Sequence, residues 1–162
     1  MSGRHIVEAI GVAAVVVSLI FVGTEIRQNT RIAQSAAYQQ LGIATADTWN
    51  GVAHDAQFNE FLAKDLATWT QSEWQQRRAY WMVWLRLLET LQIQIEQGLL
   101  PGEAVGRLGY GSVETWAQRQ DFACLWPGIG ATVSQAVRDL VEAVPFVDGS
   151  VCAGYDLPPA IQ

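Results

Sequence analysis

The feature that most constrains this chain is a long apolar run near its beginning. Residues 9–24 read AIGVAAVVVSLIFVGT and contain no charged side chain. Extending the run back to Ile6 gives roughly 19 residues, or about 28 Å of α-helix at about 1.5 Å per residue. The hydrocarbon core of a bilayer is about 30 Å thick, so the segment is just long enough to cross it. We therefore predict a transmembrane anchor over residues 1–25.

Two other interpretations of this run stay open. A buried core helix of such length normally carries a polar stripe, and residues 9–22 show none. A cleavable signal peptide has a basic leading region and a small-residue cleavage site. Here Arg4 is the lone arginine ahead of the run, and a polar helical stretch follows directly. The uncleaved anchor fits these features best.

One carboxylate and a group of small residues mark the predicted span. Glu8 lies one or two turns inside its edge, where it either reaches the headgroups or contacts a partner helix. Gly11 and Ala14 form a small-residue patch that lets another helix approach closely. The residues that we expect to define the span are Ile6, Glu8, Gly11, Ala14, Val16 and Phe21.

The basic residues that flank the run predict its orientation. Arg4 precedes the span, whereas Arg27 and Arg31 follow it. Because cytoplasmic flanks carry the excess of Lys and Arg, this count favours a cytoplasmic C-terminal body. Cys124 and Cys152 either pair in an oxidising compartment or remain free thiols in a reducing one, and the sequence leaves this open.

The segment after the span is predicted to continue the same helix as a stalk. Residues 25–49 contain no proline and one glycine, and their apolar residues recur at helical spacing. Those residues are Ile26, Ala33, Ala37, Leu41 and Ala44. This face either packs on the chain's own domain or docks a protein partner along residues 26–49.

A tryptophan-rich helix is the clearest element of the body. Thr70 or Ser72 can cap its N-terminus, Glu73 suits the first turn, and Gly98 ends it. Its stripe of large side chains is a candidate core or partner face. The stripe comprises Trp74, Trp81, Trp84, Leu88 and Leu91, and Tyr80, Val83 and Leu87 widen it. On the opposite side, Arg86 and Glu89 are spaced to form an ion pair.

The remaining segments predict shorter helices. We expect a helix over residues 56–69, a broken helix over 101–126, a loop at 127–130, a helix over 131–144 and an irregular tail over 145–162. The expected breaks are Gly106, Gly109 and Gly111, and the inward residues of the 131–144 helix are Val133, Ala136, Val137, Leu140 and Val141. The predicted class is all-α: a single membrane helix extended into a stalk, then a small Trp-rich bundle, with the extramembrane domain over 26–144.

The opening of the chain resembles a family of short bacterial membrane-anchored proteins that has no established activity. The matching residues are 8–11, 15–21, 26–30 and 36–39, followed by Trp74, Tyr80, Trp84, Glu89, Gly98, Leu99, Trp116 and Phe122. The resemblance covers most of residues 6–142, and the chain departs from it at 106–111 and in the tail. It implies an N-terminal span in the bacterial inner membrane and a helical body, and it supplies no catalytic residues.

Motifs that carry catalytic or cofactor chemistry are missing from the sequence. The net charge of −6 argues against a nucleic-acid binder. Residues 106–111 read GRLGYG, in the wrong order for a dinucleotide loop and without a P-loop lysine. His54 next to Asp55 is too little for a metal site, and no CxxC, HExxH or GxSxG occurs. We expect no enzyme activity, no cofactor and no metal.

These observations predict a non-catalytic accessory subunit of an integral-membrane complex, such as a photosynthetic or respiratory energy-converting one. Its expected partners are other membrane subunits and the lipid bilayer. The span contains no histidine, which argues against direct ligation of a pigment metal by this chain. The alternative is a stand-alone anchored module that recruits a soluble partner or self-associates.

Overall fold

The chain is all-α in its computed structural model, which describes residues 3–107, 113–155 and 157. These residues are 83% helical, and none of them lies in a strand. The α-helices are α1 (Gly3–His54), α2 (Ala56–Leu62), α3 (Gln71–Glu96), α4 (Ala104–Arg107), α5 (Val113–Ala117), α6 (Gln120–Ile129) and α7 (Gln135–Glu142). Short 3-10 helices lie at Leu66–Thr68, Gly130–Thr132 and Gly149–Gly154. The expected breaks at Gly109 and Gly111 lie outside the described residues.

Helix α1 is one uninterrupted rod of 52 residues. At about 1.5 Å per residue it is about 78 Å long. The prediction that the apolar run continues directly into a stalk is therefore confirmed. The apolar part is long enough to cross a membrane, and none of the remaining described residues buries it. The core-helix interpretation of this run is thereby excluded.

Among the residues that the structure describes, the body packs on the second half of α1. Of the predicted apolar face, Ile26 and Ala33 are exposed, whereas Ala37 and Leu41 are buried. The hydrogen bond from Gln34 Nε2 to the Gly98 carbonyl, 3.4 Å long, marks the start of the contact. Residues 25–33 are exposed throughout, so a stalk of about 14 Å separates the apolar run from the body.

The prediction of one helix over residues 56–69 is wrong in extent. Helix α2 ends at Leu62, and the chain turns before the 3-10 helix at Leu66–Thr68. Asp65 caps this 3-10 helix, because its carboxylate accepts a hydrogen bond from the Ala67 amide at 2.9 Å. Aspartate competes in this way with the helical backbone for its own neighbours' amides.

Helix α3 begins and ends as predicted. Thr70 and Glu73 form a reciprocal capping box at its N-terminus. The helix ends at Glu96, and Gly98 takes a φ of +70°, a conformation that glycine adopts without steric penalty. The predicted Arg86–Glu89 ion pair is present at 2.5 Å. Val83, which we expected to widen the buried stripe, is instead 44% exposed.

Helices α1 and α3 run antiparallel and hold the core between them and the later helices. Gln34 meets Gly98 at one end of the pair, and the rings of Trp49 and Trp84 lie 5.1 Å apart further along. Helices α6 and α7 cover the other side of α3. The fully buried large side chains are Trp74, Trp84, Phe61, Phe122, Leu41, Leu85, Leu88, Leu91, Leu125, Ile129, Val137 and Val141.

The loop predicted at residues 127–130 is wrong, because α6 continues through Pro127 to Ile129. Leu125 and Ile129 are fully buried on either side of the proline, and this burial offsets the backbone hydrogen bond that proline cannot donate. Gly130 then permits a close approach: a Cβ there would lie 2.8 Å from Cε2 of Trp126.

The helix predicted over residues 131–144 is shorter than expected. It begins at Gln135, because Ser134 accepts a hydrogen bond from the Val137 amide and caps it. Val137 and Val141 face inward as predicted, whereas Ala136 is exposed. Gly106, predicted to interrupt a helix, lies inside α4.

The tail contains more structure than the irregular segment that we predicted. The 3-10 helix at Gly149–Gly154 is joined to α6 by a disulfide between Cys124 and Cys152. Phe146 stacks on Phe122 with ring centroids 6.0 Å apart. The described part of the tail is therefore docked on the body.

The capping box predicts how stability changes in acid. The hydrogen bond from Lys64, followed by those from Thr70, lowers the pKa of Glu73 from 4.5 to about 2. Because the folded-state pKa is depressed, the stabilisation is present above pH 4.5 and is lost as the pH falls towards 2. We expect Glu73→Gln to be less stable than wild type at neutral pH, with the difference vanishing towards pH 2.

Chemical denaturation across this pH range measures the effect. Glu96→Gln, in the exposed last turn of the same helix, is the matched control. A stability difference between Glu73→Gln and wild type that stays constant down to pH 2 would contradict the assignment.

Candidate functional site

The residues predicted to define the span lie on an exposed helix surface. Gly11, Ala14, Val16 and Phe21 are all exposed, and a Cβ added at Gly11 would meet no atom within 4 Å. Glu8 is also exposed and lies 3.7 Å from the imidazole of His5, one turn earlier. Ile6 is part of α1. This surface is available for contact with lipid or with another helix.

The aromatic stripe of α3 lies in the core. Trp74, Trp81, Trp84, Leu88 and Leu91 are each at most 2% exposed. Their tryptophan rings pack against other aromatic rings of the chain: Trp74 contacts Trp69 and Tyr155, Trp81 contacts Phe122 of α6, and Trp84 contacts Trp49 of α1. The structure therefore separates the two predicted residue sets: the span is exposed, and the stripe is covered by the chain itself.

A buried ion pair, which the sequence analysis missed, joins α3 to α6. The Arg77 and Asp121 side chains are 3% and 5% exposed, and Nε of Arg77 donates to Oδ2 of Asp121 at 2.5 Å. Trp81 donates its indole N–H to the same oxygen at 2.9 Å, and Arg119 donates to Oδ1 at 3.1 Å. The carboxylate thus accepts three hydrogen bonds in a site that excludes water.

Aromatic rings surround the guanidinium of this pair. The Arg77 Cζ lies 4.3 Å from the ring centroid of Tyr80 and 4.7 Å from that of Trp81. Burial lowers the pKa of Arg77 from its ordinary value, and the neighbouring Asp121 opposes that shift. The arrangement holds two helices together, and every Asp121 oxygen has a donor, so we assign it a structural role.

An open groove lies at the end of α1 that is furthest from the apolar run. We call it the distal groove. It has a volume of about 450 Å³ and is lined by Asp47, Thr48, Gly51, Val52, Asp55, Phe58, Tyr80 and Val83. The sequence pattern gave no sign of it, because its lining residues come from three separate elements and a connecting turn.

The described part of the chain contains no cluster of side chains suited to bind a metal ion. Within residues 3–107, 113–155 and 157, no three His, Cys, Asp or Glu side chains come together in a way that could bind a metal ion. His54 lies at the C-terminus of α1, and its neighbour Asp55 caps α2.

Comparisons of the chain with protein-family models, with curated proteins and with solved structures give no match.

Proposed function

We propose that this chain is a non-catalytic accessory subunit of an integral-membrane protein complex, anchored by one N-terminal span. The observation that carries the proposal is the division of α1 into two halves. The first half exposes an apolar surface that no other described part of the chain covers, and the second half is the scaffold on which the body folds. A water-soluble chain would not leave so large an apolar surface exposed.

The continuity of α1 supports an anchor that stays attached to the body. The helix passes from the apolar run through the exposed stalk into the half that packs on the body, without a break or a proline. Cleavage of a signal peptide after residue 24 would remove one half of a single helix, whereas an uncleaved anchor uses all of it. A rigid helical connection also fixes the distance of the body from the membrane, which suits a subunit that holds neighbours in register.

We further propose that the body lies on the non-cytoplasmic side, the reverse of the orientation that the flanking arginines suggest. Disulfides persist in oxidising compartments and are rare in the bacterial cytoplasm. The Cys124–Cys152 disulfide joins the tail to α6 and belongs to the folded body. The arginine count favours the opposite side by a single residue, so it is the weaker argument.

Topology reporters test this orientation. We expect alkaline phosphatase fused after the tail to be active and a green fluorescent protein fusion at the same site to be dark. In unfused protein, a maleimide-polyethylene glycol reagent should modify both cysteines only after reduction. A bright fluorescent fusion together with two free thiols in unreduced protein would establish a cytoplasmic body instead.

An arginine in the apolar run should impair membrane insertion. Val16 lies near the middle of the run and is 49% exposed. An arginine at the centre of a span costs about 2.5–3.5 kcal/mol on insertion scales. We expect Val16→Arg to shift much of the protein out of the carbonate-washed membrane fraction, while Val16→Leu stays there. Full membrane retention of Val16→Arg would contradict the anchor.

Purification in mild detergent tests the accessory role. We expect the chain to migrate on native gels with a larger assembly in fixed stoichiometry, and its deletion to weaken that assembly. Replacing Gly11 and Ala14 with leucine keeps the span apolar but fills the small-residue patch. This variant should remain in the membrane and lose part of the co-migration. Recovery as a free monomer, with the parent assembly unchanged by deletion, would overturn the proposal.

A second candidate function is a stand-alone anchored module that recruits a soluble partner. The distal groove favours it, because its lining residues on α1 lie about 35–42 Å along the helix from the end of the apolar run. The variant with leucine at Gly11 and Ala14 distinguishes the two functions. If this full-length variant in detergent still binds a soluble partner, and no larger membrane assembly is present, the anchored module is favoured over the accessory subunit.

A further inference from the structure

The distal groove combines an apolar floor with an anionic rim. The rings of Phe58 and Tyr80 form part of the floor, with centroids 5.4 Å apart and planes tilted by 37°. Val52 and the half-exposed Val83 complete it. The volume of about 450 Å³ falls within the range of small-molecule sites, which are mostly apolar with a few placed polar groups.

Two carboxylates lie on the rim of the groove. Asp55 uses Oδ1 to accept the Phe58 amide hydrogen at 2.8 Å, and its second oxygen remains available. Asp47 is exposed, also lines the groove and comes eight residues earlier in the chain. None of the described lining residues is basic. The lining therefore carries two negative charges and no cation, and the buried Arg77 guanidinium, 4.3 Å from the Tyr80 ring centroid, is already paired with Asp121.

The end of α1 adds to this negative field. Gly51 and Val52 belong to the last turn of a 52-residue helix, where the helix dipole places partial negative charge. The Asp47 and Asp55 carboxylates and the helix end act on the same space. An anion would be repelled there, and a neutral apolar molecule would be stabilised only by burial of its apolar surface. A cation with an apolar group can bury that group on the floor and also interact with the carboxylates of the rim.

We propose that the distal groove binds an organic ammonium ion that carries an apolar group. The apolar group rests on Phe58, Tyr80 and Val83, and the ammonium head lies between Asp47 and Asp55. The proposal stands on the lining of the groove and is independent of the membrane complex proposed above.

Ligand-observed NMR on the full-length protein in zwitterionic nanodiscs tests the charge preference. The probes are benzyltrimethylammonium, benzyl alcohol and benzoate, which share a ring and differ in charge. We expect benzyltrimethylammonium to bind about tenfold more tightly than benzyl alcohol, and benzoate not to bind, since two partly solvated carboxylates act on the cation. Empty nanodiscs give the background for partition into lipid. Equal binding of the cation and the alcohol would overturn the proposal.

Matched variants locate the site. Asp47→Asn should weaken benzyltrimethylammonium binding several-fold, and Asp55→Asn should do the same while keeping the cap of α2, since asparagine caps helices as well as aspartate does. Asp65→Asn removes the same charge from a capping residue outside the groove. Val83→Arg places a cation in the groove and should abolish binding. If Asp65→Asn weakens binding as much as Asp47→Asn does, or if Val83→Arg binds normally, the groove is not the site.

Discussion

Replacing Asp121 with alanine should lower the free energy of unfolding by about 3–5 kcal/mol. The substitution leaves the Arg77 guanidinium buried without its carboxylate, and it removes the acceptor for the Trp81 indole N–H. An uncompensated buried charge is the main cost, because water cannot reach it. Typical domains are stable by only about 5–15 kcal/mol, so this loss would be a substantial fraction of the body's stability.

Denaturant unfolding followed by tryptophan fluorescence measures this loss. All seven tryptophans lie at position 49 or beyond, so the signal reports on the body and not on the apolar run. The double variant Arg77→Met with Asp121→Leu removes both charges and should recover most of the stability. A loss below about 1 kcal/mol in Asp121→Ala would show that the pair is not buried from solvent.

The fold was predictable from sequence where a local pattern and its end signals agree. Helix α3 has a capping threonine, a first-turn glutamate and a terminal glycine, and all three act as expected. The continuity of the helix from the apolar run into the stalk was also predictable, because no proline interrupts the sequence there. The predictions were wrong where tertiary packing determines the local structure. Pro127 is an example: it lies inside a helix because Leu125 and Ile129 on either side of it are buried.

The spacing of Arg77 in the sequence is a signal for the buried ion pair. Arg77 falls three residues after Trp74 and four before Trp81, so it lies on the apolar stripe and not on the solvent side. A cation at such a position requires a buried partner. The partner itself was not predictable, because Asp121 is 44 residues away and only the packing of α6 on α3 brings it there.

The candidate site shows the same limit. The distal groove depends on the angle at which α2 leaves α1 and on how α3 returns beside them, and neither follows from residue spacing. Val83 illustrates this point: its spacing predicts the buried stripe, yet it lies on the rim of the packed face and lines the groove. The pairing of Cys124 with Cys152 likewise required the tail to dock on α6.

Replacing Trp84 with alanine should destabilise the body by about 3–5 kcal/mol. The side chain is 2% exposed and packs against Trp49 and Tyr80, with ring centroids 5.1 Å and 6.1 Å away. Its removal leaves a cavity where α1 meets α3, and the long rigid helices limit how far the site can collapse. The same fluorescence unfolding experiment measures the loss, with circular dichroism as a check because one fluorophore is removed.

Trp49→Ala is the matched control, since it removes the same side chain from the other member of the ring pair. Trp49 is 48% exposed, so its loss should destabilise the body much less than the loss of Trp84. The comparison separates a core role from an interface role. If Trp84→Ala were as stable as wild type and instead lost co-migration with the membrane assembly, the α3 stripe would be a partner face. Because Trp84 is covered by its own chain, we expect the stability loss.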